Sequence, residues 1–154
     1  MKKLTFALAA LVALTLMVSS CKKDNDNPTP TPSGPQNKTK TELLSANNWK
    51  TISMMSDGYD IYNIMDDCDK DNFIKINANG SYVDDEGLTK CDSNAPQTTS
   101  GLWKFINNES TLVFDAKDTA SILKLTTDTL RMSASFIDDE GASRTIVTTF
   151  VKKK

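Results

Sequence analysis

From Trp49 onward, apolar side chains recur at every second position in short runs, and turn-forming residues close each run. A period of two belongs to a β-strand with one face in a core. "WKTISMM" sets Ile52 and Met54 on one side, and "FIKIN" sets Ile74 and Ile76 around Lys75. "NANG" then supplies a turn, since Asn and Gly tolerate positive φ. "SYVDD" follows with Tyr82, "GLWKFIN" with Trp103 and Phe105, and "TLVFD" with Leu112 and Phe114. "SILKLTTDTLRMSASF" gives Leu123 and Leu125, a turn at Thr127 and Asp128, then Leu130, Met132, Ala134 and Phe136. After the "DDEG" turn, "RTIVTTFV" places Ile146 and Phe150 on one face.

These are eight short strands with tight connections and no long helical pattern between them. Consecutive strands joined this way form an antiparallel meander, and eight can close into a barrel. Only "KTELLSANN" has a helical pattern. The expectation is an all-β chain: an eight-stranded antiparallel up-and-down barrel with a short N-terminal helix, over residues 41–154.

The segment before it is of another kind. Lys2 and Lys3 precede an apolar stretch from Leu4 to Val18, and Ser19 and Ser20 lead to Cys21. At about 15 residues the stretch is shorter than the ~20 a membrane span needs, so residues 1–20 read as a signal peptide. "VSSC" resembles the lipobox of bacterial lipoproteins, which implies lipidation (palmitate among the acyl chains) at Cys21. An ordinary signal peptide ending in cysteine is the alternative. Residues 21–40 carry four of the five prolines with Thr, Asn and Asp, and no large apolar residue. Such a stretch has too little apolar surface to offset its ordering entropy, so it reads as a disordered spacer. "CKKDNDN" resembles the surface-export signal of Bacteroidetes lipoproteins. The implied location is the bacterial outer membrane, lipid-anchored, with the domain displayed outward or held in the periplasm.

Composition narrows the chemistry. Without Lys2 and Lys3, the 18 basic residues fall to 16 against 20 acidic, a net charge of about −4. That argues against nucleic acid as a partner. Histidine is absent, which removes the commonest general base and metal ligand. Cys68 and Cys91 are an even pair in an envelope compartment and read as a disulfide, with two free thiols as the alternative. "KINANGSYVDDE" has oxygen ligands at calcium-loop spacing, but Lys75 stands first and the segment reads as a hairpin. "DDCDKD" and "DDEG" read as solvated turns, and nothing implies a cofactor.

"LLSANNWK", then "CDKDNFIKINANGSYVDDEGLTKC", "GLWKF" and "TLVFD", together resemble the lipocalin-like domains of Bacteroidetes lipoproteins. The resemblance covers residues 41–152 and implies the barrel with its opening helix. It departs at Asn47, where lipocalins carry glycine two residues before the tryptophan. Their ligand habits therefore do not carry over.

The inward-facing list is bulky, so it reads first as a filled core and second as an apolar cavity. "SDGYDIYNIMDD" is a long, partly apolar connection that suits a lid or plug over one barrel end. Candidate ligand-binding residues are Tyr59, Tyr62, Met65, Tyr82, Trp103 and Phe105. The function expected is a non-catalytic module that binds a small apolar ligand or a surface protein partner. The alternative is a carboxylate-dependent envelope hydrolase, whose mark would be a buried, unpaired carboxylate in a cleft. Alternation is expected to put nearly all acids outward or in turns.

Overall fold

In the computed structural model, which describes residues 37–154, chain order opens with a capped helix. The Thr39 hydroxyl accepts from the Glu42 N–H (3.2 Å), and the Thr39 N–H donates to the Glu42 carboxylate (2.7 Å). This reciprocal box satisfies two N–H groups that a helix start leaves unpaired. Helix α1, Lys40–Ser45, therefore begins at the last residue of the expected spacer. Residues 1–20, Cys21 and the spacer to residue 36 lie outside the described residues.

Nine strands follow: β1 (Asn48–Ser56), β2 (Tyr59–Asp60), β3 (Phe73–Ile76), β4 (Ser81–Asp85), β5 (Thr98–Ile106), β6 (Thr111–Phe114), β7 (Asp118–Leu125), β8 (Thr129–Ile137) and β9 (Ser143–Lys152). From β3 to β9 each strand pairs antiparallel with the next, and β1 pairs with both β3 and β9. That closes an eight-stranded antiparallel barrel, as the alternation predicts. β2 is a two-residue addition paired only with the end of β1. No described helix is long and apolar enough to cross a membrane.

Trp49, Leu44, Ile76, Leu112 and Leu130 are fully buried. The Trp49 indole N–H donates to the Leu44 carbonyl at 2.7 Å, so α1 and β1 lock together over one barrel end. Trp103 does the same with the Asn77 carbonyl (2.9 Å), in the turn between β3 and β4. Burying an indole requires a partner for its single donor, and here the backbone supplies both. Gly80, at φ +85°, completes that turn.

Ile52 and Leu123, expected inside, are 46% and 52% exposed. The cause is a bulge in each strand. The β1–β9 ladder passes from Thr51–Phe150 directly to Ser53–Thr149, and the β7–β8 ladder from Ile122–Met132 to Lys124–Arg131. One extra residue resets the alternation. Met54 still pairs across from Thr148, and Leu125 from Leu130, on the core side. Phe136 keeps the parity of Met132 and Ala134 but reaches past the packed layer and is 44% exposed.

The 57–72 connection holds β2, a 3-10 turn at Tyr62–Ile64 and a short helix α2 at Asp67–Lys70. The Tyr62 hydroxyl donates to the Thr51 carbonyl (3.2 Å) and pins this segment to β1. Cys68 of α2 is disulfide-bonded to Cys91, with the Cα atoms 5.3 Å apart.

Candidate functional site

The β1–β3 ladder runs only from Asn48–Lys75 to Lys50–Phe73. Beyond Lys50 the two strands part, and a cavity of about 220 Å³ opens between them. Trp49, Thr51, Ile74 and Phe150 line it, together with Asp84 and Glu86. Its volume lies below the ~300–1,000 Å³ of drug-sized sites, so it suits a small compound. A larger groove of about 610 Å³ runs along β5 and β6 past Leu102, Lys104 and Val113. Leu102 and Lys104 alternate with the core residues Trp103 and Phe105, so that groove lies on the barrel's outer surface.

Asp84 gives the inner cavity its chemistry. It sits directly opposite Ile74 in the β3–β4 ladder, and cross-strand partners share a face. Ile74 packs on the core, so the Asp84 carboxylate is on the inner side of the barrel. The side chain is exposed to water at the open mouth, with barrel atoms enclosing part of it. That enclosure pushes its carboxyl above the usual range, and the like charges of Asp115 and Glu86 push the same way. It makes no hydrogen bond or ion pair with any described residue. The expectation that acids lie outward or in turns fails at this residue, because β4 brings Asp84 round to the same side as Tyr82.

Its neighbours behave differently. The Tyr82 hydroxyl donates to Asp115 Oδ2 at 2.6 Å, and Asp115 Oδ1 accepts from the Leu102 N–H at 2.8 Å. These two bonds hold the Asp115 carboxyl below the usual range. The same carboxylate, with some burial, raises the Tyr82 phenol to about 12. Gly101 makes room: a Cβ there would lie 2.6 Å from the Tyr82 ring and closer still to Asp115. Across the mouth, Arg144 pairs with Asp138 (2.8 Å) and Asp57 (3.4 Å), so its charge is already matched.

None of the six sequence candidates lines the inner cavity, and Trp103 alone of them borders the larger groove. Trp103 and Phe105 pack edge to face at 5.1 Å, and Tyr82 meets Phe114 in the same way at 5.3 Å. They fill the barrel interior. Tyr59 is 77% exposed and borders a shallow depression with Phe136 and Arg144. Tyr62 is held to Thr51, and Met65 follows it in the covering segment. Of the residues that line the cavity, Ile74 and Phe150 were legible as core and Trp49 as the opening tryptophan, while Thr51 was not legible.

Cys68 and Cys91 spend their sulfurs on each other, so their cluster with Asp69 offers no thiolate. Asn79 turns its Oδ1 to the Ser81 N–H (3.1 Å) and hydroxyl (2.8 Å), inside its own hairpin.

A family model for the lipocalin-like domain matches residues 46–132, more than half of the chain. No curated protein matches. Bovine odorant binding protein with its natural ligand is similar in structure, at 14% identity and a TM-score of 0.49, over 79% of this chain and 78% of that one. The complex of that bovine protein with undecanal has a TM-score of 0.48 at 14% identity, with the same coverage. Its deswapped triple mutant has a TM-score of 0.46 at 15% identity, over 72% of this chain and 74% of that one.

Proposed function

The chain belongs to the lipocalin-like domain family, and from that premise we propose that it is a non-catalytic binding protein whose barrel takes one small, mostly apolar ligand. One observation carries this reading: the cavity where β1 and β3 part, walled by Trp49, Ile74 and Phe150. The rest of the interior is packed with its own side chains, so the occupant is small. In the same reading the domain is tethered to the bacterial outer membrane through lipidated Cys21 and stands off on the residue 22–40 spacer. The sequence "VSSC" and the proline-threonine run support the tether.

Native mass spectrometry of the full chain, purified from an envelope compartment, tests the binding reading. A stoichiometric extra mass, lost on denaturation, is the expected result. A chain that stays bare after exposure to envelope extracts overturns it and points to a protein partner on the outer surface.

A carboxylate-dependent hydrolase is the second reading, and Asp84 is the observation that favours it. Against it, no described hydrogen bond joins Asp84 to Thr51, Asp85 or Glu86 in the cavity, and the sequence has no histidine to share the work. Turnover of ester or glycoside substrates that disappears in Asp84→Asn would establish it.

A further inference from the structure

Resting on the cavity reading above, we propose that the ligand carries a protonated amine, with Asp84 as its counter-ion. A site for a purely apolar ligand has no use for a carboxylate on its inner face. Several other acids of the barrel are paired within the chain. Asp115 has the Tyr82 hydroxyl and the Leu102 N–H, and Asp138 has Arg144 and the Ala142 N–H. Asp85, next in the chain, takes the Gly87 N–H and the Gln97 amide. Asp84 alone of these four has no described partner, and it lines the cavity together with Asp85 and Glu86.

The surrounding charge selects the sign of the occupant. Glu86 lines the same cavity and Asp115 lies near enough to raise the Asp84 carboxyl. Arg144 is committed to Asp57 and Asp138, and no lysine or arginine lines the cavity. A carboxylate on the ligand would meet repulsion here. An ammonium group would relieve the repulsion among three acids and give Asp84 its missing donor. Ile74 and Phe150 would then take the ligand's apolar body, and the Phe150 ring adds cation–π attraction for the same charge. The ligand class is thus a small primary or secondary amine with an aromatic or short aliphatic body.

The test compares 2-phenylethylamine with 2-phenylethanol by titration calorimetry on the purified full chain. The two probes share ring and tether and differ in the charged end. The amine is expected to bind about tenfold tighter or more, as a charge-assisted hydrogen bond implies. Asp84→Asn should bring the two probes within about threefold of each other with the alcohol unchanged, and Asp84→Glu should keep the preference. Equal binding of both probes by the native chain overturns the amine assignment and leaves the cavity reading intact. A preference that survives Asp84→Asn moves the counter-ion elsewhere. Failure of both probes to bind at millimolar concentration removes the cavity reading itself.

Discussion

Asp84 and Ile74 stand directly opposite one another in the β3–β4 ladder, so a carboxylate shares the barrel's inner face with a core isoleucine. The free energy of that placement depends on pH. A carboxyl raised in the folded state holds its proton more tightly there than in the unfolded chain. Stability is therefore greatest in acid and falls as pH rises from the ordinary aspartate range through the raised value.

Asp84→Asn removes the ionised form and should stabilise the native domain at neutral pH. Because water reaches the side chain through the mouth, the gain is small, a rise in Tm of about 1–2 °C. In acid, where both versions are neutral, the gain should vanish. Thermal scans of the two proteins at several pH values check this, and a lower Tm for Asp84→Asn at neutral pH would sink it.

The Tyr82–Asp115 pair predicts the opposite sign for the aspartate. The Asp115 carboxyl is depressed, so its contribution is present above the unfolded value and is lost as pH falls through the folded one. On the alkaline side, Tyr82 should ionise near 12. Phenolate absorbance during a pH titration reads this directly, and Asp115→Asn should shift the Tyr82 transition to lower pH. An unchanged transition in that variant would show that burial, not the hydrogen bond, sets the phenol.

Much of the barrel was legible because its strands obey a period of two, and it failed where the backbone breaks that period. Nothing in "WKTISMM" or "SILKL" marks Ile52 or Leu123 as the extra residue of a bulge. Both are β-formers, and only pairing with β9 and β8 puts them outside. Asp84 is the reverse case. The alternation that places Tyr82 inside places Asp84 inside as well, two residues on, so the signal was present in "SYVDD". What alternation does not show is that the neighbouring strands leave Asp84 without a partner beside a cavity. The cavity was not legible, because it depends on how soon β1 and β3 stop pairing.

Gly101→Ala should destabilise the domain by about 1–3 kcal/mol, the usual effect of forcing a methyl into filled space. The new Cβ meets the Asp115 carboxylate and the Tyr82 ring. Adding Asp115→Ala should recover part of the loss, since it empties one of the two obstacles. Urea midpoints of the single and double variants check this, and strict additivity would show that the two side chains do not compete for the same space.

Breaking the disulfide should weaken both the fold and the cavity. Cys68 and Cys91 are 23 residues apart, a loop whose closure is worth about 3 kcal/mol through the unfolded chain. The bridge also braces one wall of the site. With its amide nitrogen turned toward them, Asn72 donates to the carbonyls of Cys68 (2.9 Å) and Glu86 (2.7 Å), and both Asn72 and Glu86 line the cavity. Asp71 Oδ2 adds bonds from the Leu88 N–H (2.9 Å), the Thr89 N–H (3.0 Å) and the Thr89 hydroxyl (2.9 Å). These contacts persist only while α2 stays against the 86–91 segment. Cys68→Ser/Cys91→Ser should therefore lower the denaturation midpoint. Binding of the amine probe should weaken in the same variant even under conditions where it remains folded. If the midpoint falls and affinity is unchanged, the bridge acts on the unfolded chain alone and the cavity wall is held by the Asp71 and Asn72 bonds without it.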